Sequence, residues 1–105
     1  MSEPVTVCVV NHDGGSRLLR VVDAALAAGD AVAEVLVVDS GSEDGSPERL
    51  AHERPRVRTL LLGANLGPAA ARNRGLDEAG SDRVLFLDND VFVEAGCLDS
   101  LTEAL

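Results

Sequence analysis

Four short apolar runs recur along the chain and are separated by polar, glycine-containing segments. They occupy residues 5–10, 35–38 and 84–87, and a fourth, at residues 57–62, is interrupted by Arg58 and Thr59. Continuous apolar runs of this length, rich in valine and leucine, are typical of strands that are buried on both faces of a sheet. The pattern therefore predicts four buried β-strands.

Helical spacing of apolar residues appears after each predicted strand. The helices are expected over residues 16–28, from Ser46 onward, from Pro68 to near Gly80, and around Leu98, Leu101 and Leu105. We expect Ser16 and Ser46 to cap the first two helices, with Ser42 capping the turn before the second. Gly29 should end the first helix, and the prolines at 47 and 68 suit first helical positions.

Strands that alternate with helices indicate an α/β fold, with an open, mostly parallel sheet and helices on both faces. At 105 residues the chain fits a single domain, residues 1–105. The last predicted helix has no cap or following strand, and one sheet edge would stay open. We therefore expect an incomplete domain, completed by further chain or by a homo-oligomer.

Charge and composition exclude several kinds of partner. The net charge is -9, with 46% hydrophobic residues, and all nine basic residues are arginines. Such a surface repels nucleic acid and anionic membranes, and a chain without lysine has no P-loop or Schiff-base lysine. No stretch resembles a secretory signal or a membrane span, so we expect a cytoplasmic protein without stable membrane insertion. Cys8 and Cys97 are expected to be reduced structural thiols.

Polar residues follow the predicted strands at the edge where open α/β sheets bind ligands. Asp88 and Asp90 follow the fourth strand and are two residues apart, so both side chains can face the same way. Paired carboxylates suit Mg²⁺ or Mn²⁺, which would link them to a diphosphate. The alternative is that Asp-Asn-Asp simply forms a turn.

Three other polar residues leave alternatives open. Asp39, directly after the second strand, can accept hydrogen bonds from a base or ribose, or it can cap the following turn. Arg72, early in the third helix, can contact an anion or pair with a carboxylate. His12 can be a solvated loop residue or a flat surface on which a base stacks.

Four motifs in this order resemble those of the family 2 glycosyltransferases, whose fold is called GT-A. Residues 9–14 are similar to the family's opening Val-Val-Asn-Tyr-Asn-Gly motif, and residues 37–46 to its second signature. Residues 65–75 resemble the third, and residues 86–90 the metal motif. Two departures are visible, because His12 replaces the usual tyrosine and Ser40 stands where asparagine or aspartate is common.

The resemblance implies a role for each matching residue. Asp39 would contact the base, flanked by His12, while Arg72 would hold the nucleotide, and Asp88 and Asp90 would take ribose and metal. The nucleotide-binding set that it implies is Val10, Asn11, His12, Asp39, Ser40, Arg72 and Asp88, and the metal set is Asp88 and Asp90.

The implied reaction is the inverting transfer of a sugar from a nucleoside diphosphate sugar to an acceptor hydroxyl, with Mn²⁺ or Mg²⁺ neutralising the leaving diphosphate. The family's acceptor site and general base belong to a part that would follow this chain. Two alternatives are a non-catalytic nucleotide-binding or assembly module of the same fold and a phospho-receiver domain. The missing lysine argues against the receiver.

Overall fold

The computed structural model describes residues 4–88. The elements alternate as predicted: β1 Val5–Asn11, α1 Ser16–Ala27, β2 Val32–Asp39, α2 Ser46–Glu53, β3 Arg58–Leu61, α3 Pro68–Glu78 and β4 Val84–Asp88, with a short 3₁₀ turn at Gly29–Ala31. Four strands form one sheet in the order β3-β2-β1-β4. Every pairing is parallel, which confirms the predicted α/β architecture.

Helices cover both faces of the sheet. One face packs α1 and α2 against alternate strand residues, and its buried set includes Val7, Val9, Leu18, Val22, Val37 and Leu50. The other face packs α3 through Ala71 against a smaller set with Cys8, Leu36 and Val38. Because strand side chains alternate between faces, both sides of β1 and β2 are apolar. The apolar runs in the sequence are continuous because both faces of these strands are buried.

The strand bounds differ from the prediction at several ends. β2 begins at Val32 because its first residues pair with the start of β1, although they are only half-buried and carry polar neighbours. β3 covers only residues 58–61, four positions opposite the end of β2. The helix predicted around Leu98, Leu101 and Leu105 lies outside the described residues.

Two of the expected helix caps are wrong. Ser16 and Ser46 are the first residues of their helices, the N-cap positions are glycines, and neither helix has a side-chain cap hydrogen bond. The Ser46 hydroxyl instead donates to Asp44 Oδ1 at 2.6 Å. Gly29 does follow the end of α1 with φ of 65°, and Pro68 does open α3, as expected.

None of the helices within residues 4–88 has the length and apolar character needed to cross a bilayer. Cys8 is a free, buried thiol, as predicted. Cys97 lies outside the described residues.

Candidate donor-binding site

The carboxyl ends of β1, β2 and β4 lie side by side. Asn11 is level with Asp39 across β1 and β2, and Val10 is level with Asp88 across β1 and β4. Parallel pairing brings these residues to one edge because every strand ends there. The sheet thus assembles the edge at which the sequence predicted ligand binding.

The polar groups on this edge lie on opposite sides of the sheet. Asn11 and Asp39 continue the strand positions that face α1 and α2, whereas Asp88 continues the row that faces α3. Within residues 4–88, no three acidic, histidine or cysteine side chains come close enough together to hold a metal ion. Asp39 and Asp88 therefore lie at the same edge of the sheet but on opposite faces of it.

Asn11 is the centre of a buried polar cluster. It is fully buried, and Asp39 and Ser46 are 3% and 5% exposed. Its amide nitrogen donates to Asp39 Oδ1 at 2.8 Å, to Ser46 Oγ at 2.9 Å and, more weakly, to Ser42 Oγ at 3.3 Å. Buried polar groups are costly unless they are hydrogen-bonded, so these contacts fix the geometry of the cluster.

Asp39 caps the turn that follows β2. Its Oδ2 accepts the backbone N–H of Ser42 at 3.0 Å, and its Oδ1 accepts the Ser42 hydroxyl at 2.6 Å. Ser42 was predicted to cap a turn; instead, its hydroxyl joins Asp39 to the cluster. A carboxylate has about four acceptor positions, and Asn11 and Ser42 take three of them. One position on Oδ2 remains for a further donor.

Two loops meet over this cluster: the first loop, residues 12–15, follows β1, and the second loop, residues 40–45, follows β2. His12 Nδ1 lies 2.6 Å from the Ser40 carbonyl oxygen. A carbonyl only accepts, so Nδ1 carries the proton. The ring of His12 is thereby oriented by the second loop, with the side chain 45% exposed.

Ser40 connects the second loop to the segment before α3. Its backbone N–H donates to the Asn11 carbonyl at 2.8 Å, and its hydroxyl accepts the N–H of Leu66 at 3.2 Å. Next to it, Gly41 has φ of 67°, and a Cβ there would lie 2.6 Å from the backbone of Ala64. Only glycine permits this crossing of two backbones.

Arg72 and Asp88 form an exposed ion pair on the α3 side. Arg72 Nη2 lies 3.8 Å from Asp88 Oδ1, and the two side chains are 48% and 55% exposed. Of the two alternatives for Arg72, pairing with a carboxylate is therefore observed. An exposed pair contributes only about 0–1 kcal/mol, so both groups can turn to a charged ligand at little cost. Asp90 lies outside the described residues.

A profile described as "Glycosyl transferase family 2" matches residues 6–105. The chain belongs to this family. The family resemblance predicted from the four motifs is thus confirmed.

This family 2 chain also matches individual relatives along most of its length. It is 35% identical over 100 residues to the succinoglycan biosynthesis protein ExoO of Rhizobium meliloti (strain 1021), covering 94% of this chain and 29% of that protein. It is 31% identical over 115 residues to an N-acetylglucosaminyl-diphospho-decaprenol L-rhamnosyltransferase of Mycobacterium tuberculosis, covering 99% and 38%. The chain thus spans about a third of the length of these relatives.

Solved structures confirm the GT-A fold of the family member. The S. aureus TarS structure (residues 1–349) superposes with a TM-score of 0.78 at 25% identity, covering 95% of this chain and 31% of that one. The same TarS fragment in complex with UDP-GlcNAc gives a TM-score of 0.78.

A cavity of about 610 Å³ lies away from the candidate site. Its lining includes Leu26, Val32, Glu34 and Arg58, which belong to the end of α1 and the amino-terminal ends of β2 and β3. None of the residues predicted to bind nucleotide lines it. We place the site at the carboxyl edge, because the motif residues and their hydrogen-bonded cluster are there.

The motifs did not single out Asp13 or Asp44, although both hold the two loops together. Asp44 Oδ1 accepts the N–H and hydroxyl of Ser46, and Oδ2 accepts the N–H of Gly15 at 2.9 Å. These bonds lower the pKa of Asp44 below its usual value, and the bond from the Ser46 hydroxyl contributes most to this shift. In the sequence, Asp44 is marked only by the run of serine and aspartate after β2, and that run equally suits an ordinary turn.

Proposed function

We propose that the carboxyl edge of this sheet binds a nucleoside diphosphate sugar, as the donor-binding part of an inverting, metal-dependent glycosyltransferase. The observation that carries the proposal is the match, over 95% of this chain, to the TarS structure in complex with UDP-GlcNAc. The described edge supplies chemically suitable groups for both ends of such a ligand.

The nucleoside end is proposed to lie at the carboxyl ends of β1 and β2, against Val10, Asn11, His12, Asp39 and Ser40, with Asn11 and Asp39 on the α1 and α2 side. Asp39 has one acceptor position left on Oδ2, and as a carboxylate it donates nothing. It therefore favours a base with a ring N–H on its pairing edge, such as uracil, thymine or guanine. Cytosine has an acceptor at that ring position and can donate only through its exocyclic amino group, so it should bind more weakly.

The diphosphate end is proposed to lie on the α3 side, at Arg72 and Asp88. Arginine pairs well with phosphate oxygens, and it already stands 3.8 Å from Asp88 at the sheet edge. Asp88 offers oxygen ligands, which Mn²⁺ and Mg²⁺ prefer, and these ions commonly take one or two carboxylates together with substrate phosphates. Asp88 and Asp90 would therefore hold the ion. When bound, it would neutralise the charge on the leaving diphosphate.

Isothermal titration calorimetry tests this proposal directly. The chain should bind UDP in the presence of Mn²⁺, more weakly without the metal, and more tightly than it binds CDP. Asp88→Ala, Asp90→Ala should remove the metal-dependent part of the affinity, and Arg72→Ala should weaken UDP binding about tenfold, the equivalent of one charged hydrogen bond.

Asp82→Ala is the matched control, because Asp82 is exposed just before β4, at the other end of that strand. It should bind like the parent. If the parent bound no nucleoside diphosphate with or without Mn²⁺, or if the Asp88 and Asp90 variant bound it as the parent does, the proposal would be wrong.

A non-catalytic assembly module remains the alternative, and the open side of β3 favours it. Within the described part of the chain, β3 forms one edge of the sheet, and Leu61 at its end is 64% exposed. Unpaired edges of this kind can pair with another chain. Multi-angle light scattering that shows a stable homo-oligomer, together with no nucleotide binding, would support this second function. Transfer to an acceptor hydroxyl and the cytoplasmic location stay predictions.

A further inference from the structure

Asp13 joins the first loop to the second loop through both its backbone and its side chain. Its N–H donates to Ser42 Oγ at 2.8 Å, and its Oδ1 accepts the N–H of Glu43 at 2.8 Å. Each loop therefore donates one hydrogen bond to the other. Sliding one loop past the other would break both bonds together.

The backbone of Asp13 is held in an unusual conformation. Its φ is 51°, and among the described residues it is the one non-glycine residue with positive φ. This left-handed region is unfavourable for an ordinary residue, although aspartate and asparagine tolerate it better than most. The two hydrogen bonds to the second loop help to hold the turn in this form, together with the bond from the Gly15 N–H to Asp44.

His12 immediately precedes this turn, and its ring depends on the same two loops. Nδ1 donates to the Ser40 carbonyl in the second loop, and Nε2 lies 3.5 Å from Asp13 Oδ2. The turn at Asp13 directly follows His12, and Ser40 is already held next to β1 by its bond to the Asn11 carbonyl. A change in the turn would therefore move the His12 ring relative to a fixed Ser40 carbonyl.

We infer that Asp13 is a positioning residue for the donor site: by accepting the Glu43 N–H it keeps the first loop in its left-handed turn and holds the His12 ring against the Ser40 carbonyl. The inference rests on the proposed function, in which His12 contacts the nucleoside. Asp13 itself acts through His12 and does not need to touch the ligand.

Two substitutions separate the acceptor from the backbone conformation. Asp13→Asn keeps a side-chain oxygen and tolerates positive φ, so UDP should bind within about twofold of the parent. Asp13→Gly suits the turn but lacks the acceptor, so the Kd for UDP with Mn²⁺ should rise about tenfold. Its urea midpoint should stay close to that of the parent, because relief of the backbone strain offsets the lost bond.

Asp30→Gly is the matched control, since it makes the same change at an exposed residue of the 3₁₀ turn at the opposite end of the sheet. It should bind UDP like the parent. The second readout is the His12 Nδ1–H proton resonance of the ligand-free chain. It should persist in the parent and in Asp13→Asn, and it should broaden or vanish in Asp13→Gly.

The inference is overturned if Asp13→Gly retains both parental affinity and the His12 resonance. It is also overturned if Asp13→Asn loses binding as far as Asp13→Gly, because the charge and not the acceptor would then matter. A parent that binds no nucleoside diphosphate would refute the proposed function instead. In that case the ring resonance alone would decide whether Asp13 holds His12.

Discussion

Helix α3 packs directly against Cys8 of β1 at Gly75, which has no side chain. A Cβ at this position would lie 2.5 Å from Cys8 Sγ and 3.5 Å from Phe86 Cε1. Cys8 is fully buried in the centre of the sheet, so its sulfur has little room to move aside. Gly75→Ala should therefore force the helix away from the sheet.

The expected size follows from two opposing effects. Non-bonded heavy atoms are comfortable at about 3.5–4 Å, so the new methyl group is about 1 Å too close to the sulfur. Overpacking of this kind costs about 1–3 kcal/mol. Alanine in place of glycine inside a helix contributes about 1 kcal/mol in the other direction. We expect Gly75→Ala to lower the free energy of unfolding by up to about 2 kcal/mol.

Cys8→Ala provides the decisive background, because it removes the sulfur and leaves the Cβ of residue 8 at an ordinary 3.7 Å. In that background Gly75→Ala should stabilise the chain by up to about 1 kcal/mol, the gain in helix propensity alone. Urea unfolding of the four proteins gives the interaction energy, expected to equal the overpacking cost of about 1–3 kcal/mol. Equal destabilisation by Gly75→Ala in both backgrounds would refute the contact with Cys8 as its cause.

Two further predictions concern buried groups. Asn11→Ala should lower the free energy of unfolding by about 2–4 kcal/mol, because buried acceptors on Asp39 and Ser46 each lose one donor. Asn73→Ala on the exposed side of α3 should change it by less than about 0.5 kcal/mol in the same urea assay. Burial, with a smaller contribution from Glu34, raises the pKa of the Cys8 thiol from 9.0 to about 11. Since the unfolded thiol loses its proton first as the pH rises, the free energy of unfolding should fall by up to about 2–3 kcal/mol between pH 9 and 11. Measured in a Cys97→Ala background, Cys8→Ala should lack this decline, and an equal decline with and without Cys8 would contradict the assignment.

The strands were predictable because of where they lie. β1 and β2 are covered by helices on both faces, so their apolar residues run continuously and stand out in the sequence. The start of β2 at Val32 was not predictable. Pairing with β1 extends that strand through half-buried and polar residues, and no local pattern records such pairing.

The starts of the helices were also only partly predictable from the sequence. Pro68 was recognised because a proline restricts its own backbone wherever it occurs. Ser46 was expected to cap α2, but its hydroxyl lies between Asp44 and Asn11. Asn11 is 35 positions away in the chain, and its arrival at this point depends on β1 and β2 being neighbours.

The sequence by itself determined the fold class, the family and the edge of the sheet at which the motifs gather. The fold class and the edge follow from local signals: apolar periodicity, turn residues and the spacing of polar residues after each strand. The family follows from the resemblance of the four motifs. The order β3-β2-β1-β4 then decided which polar residues meet. It joined Asn11 to Asp39 on one side of the sheet and paired Arg72 with Asp88 on the other. Hydrogen bonds and ion pairs act over a few ångströms of space, so their partners are settled only when the chain is folded.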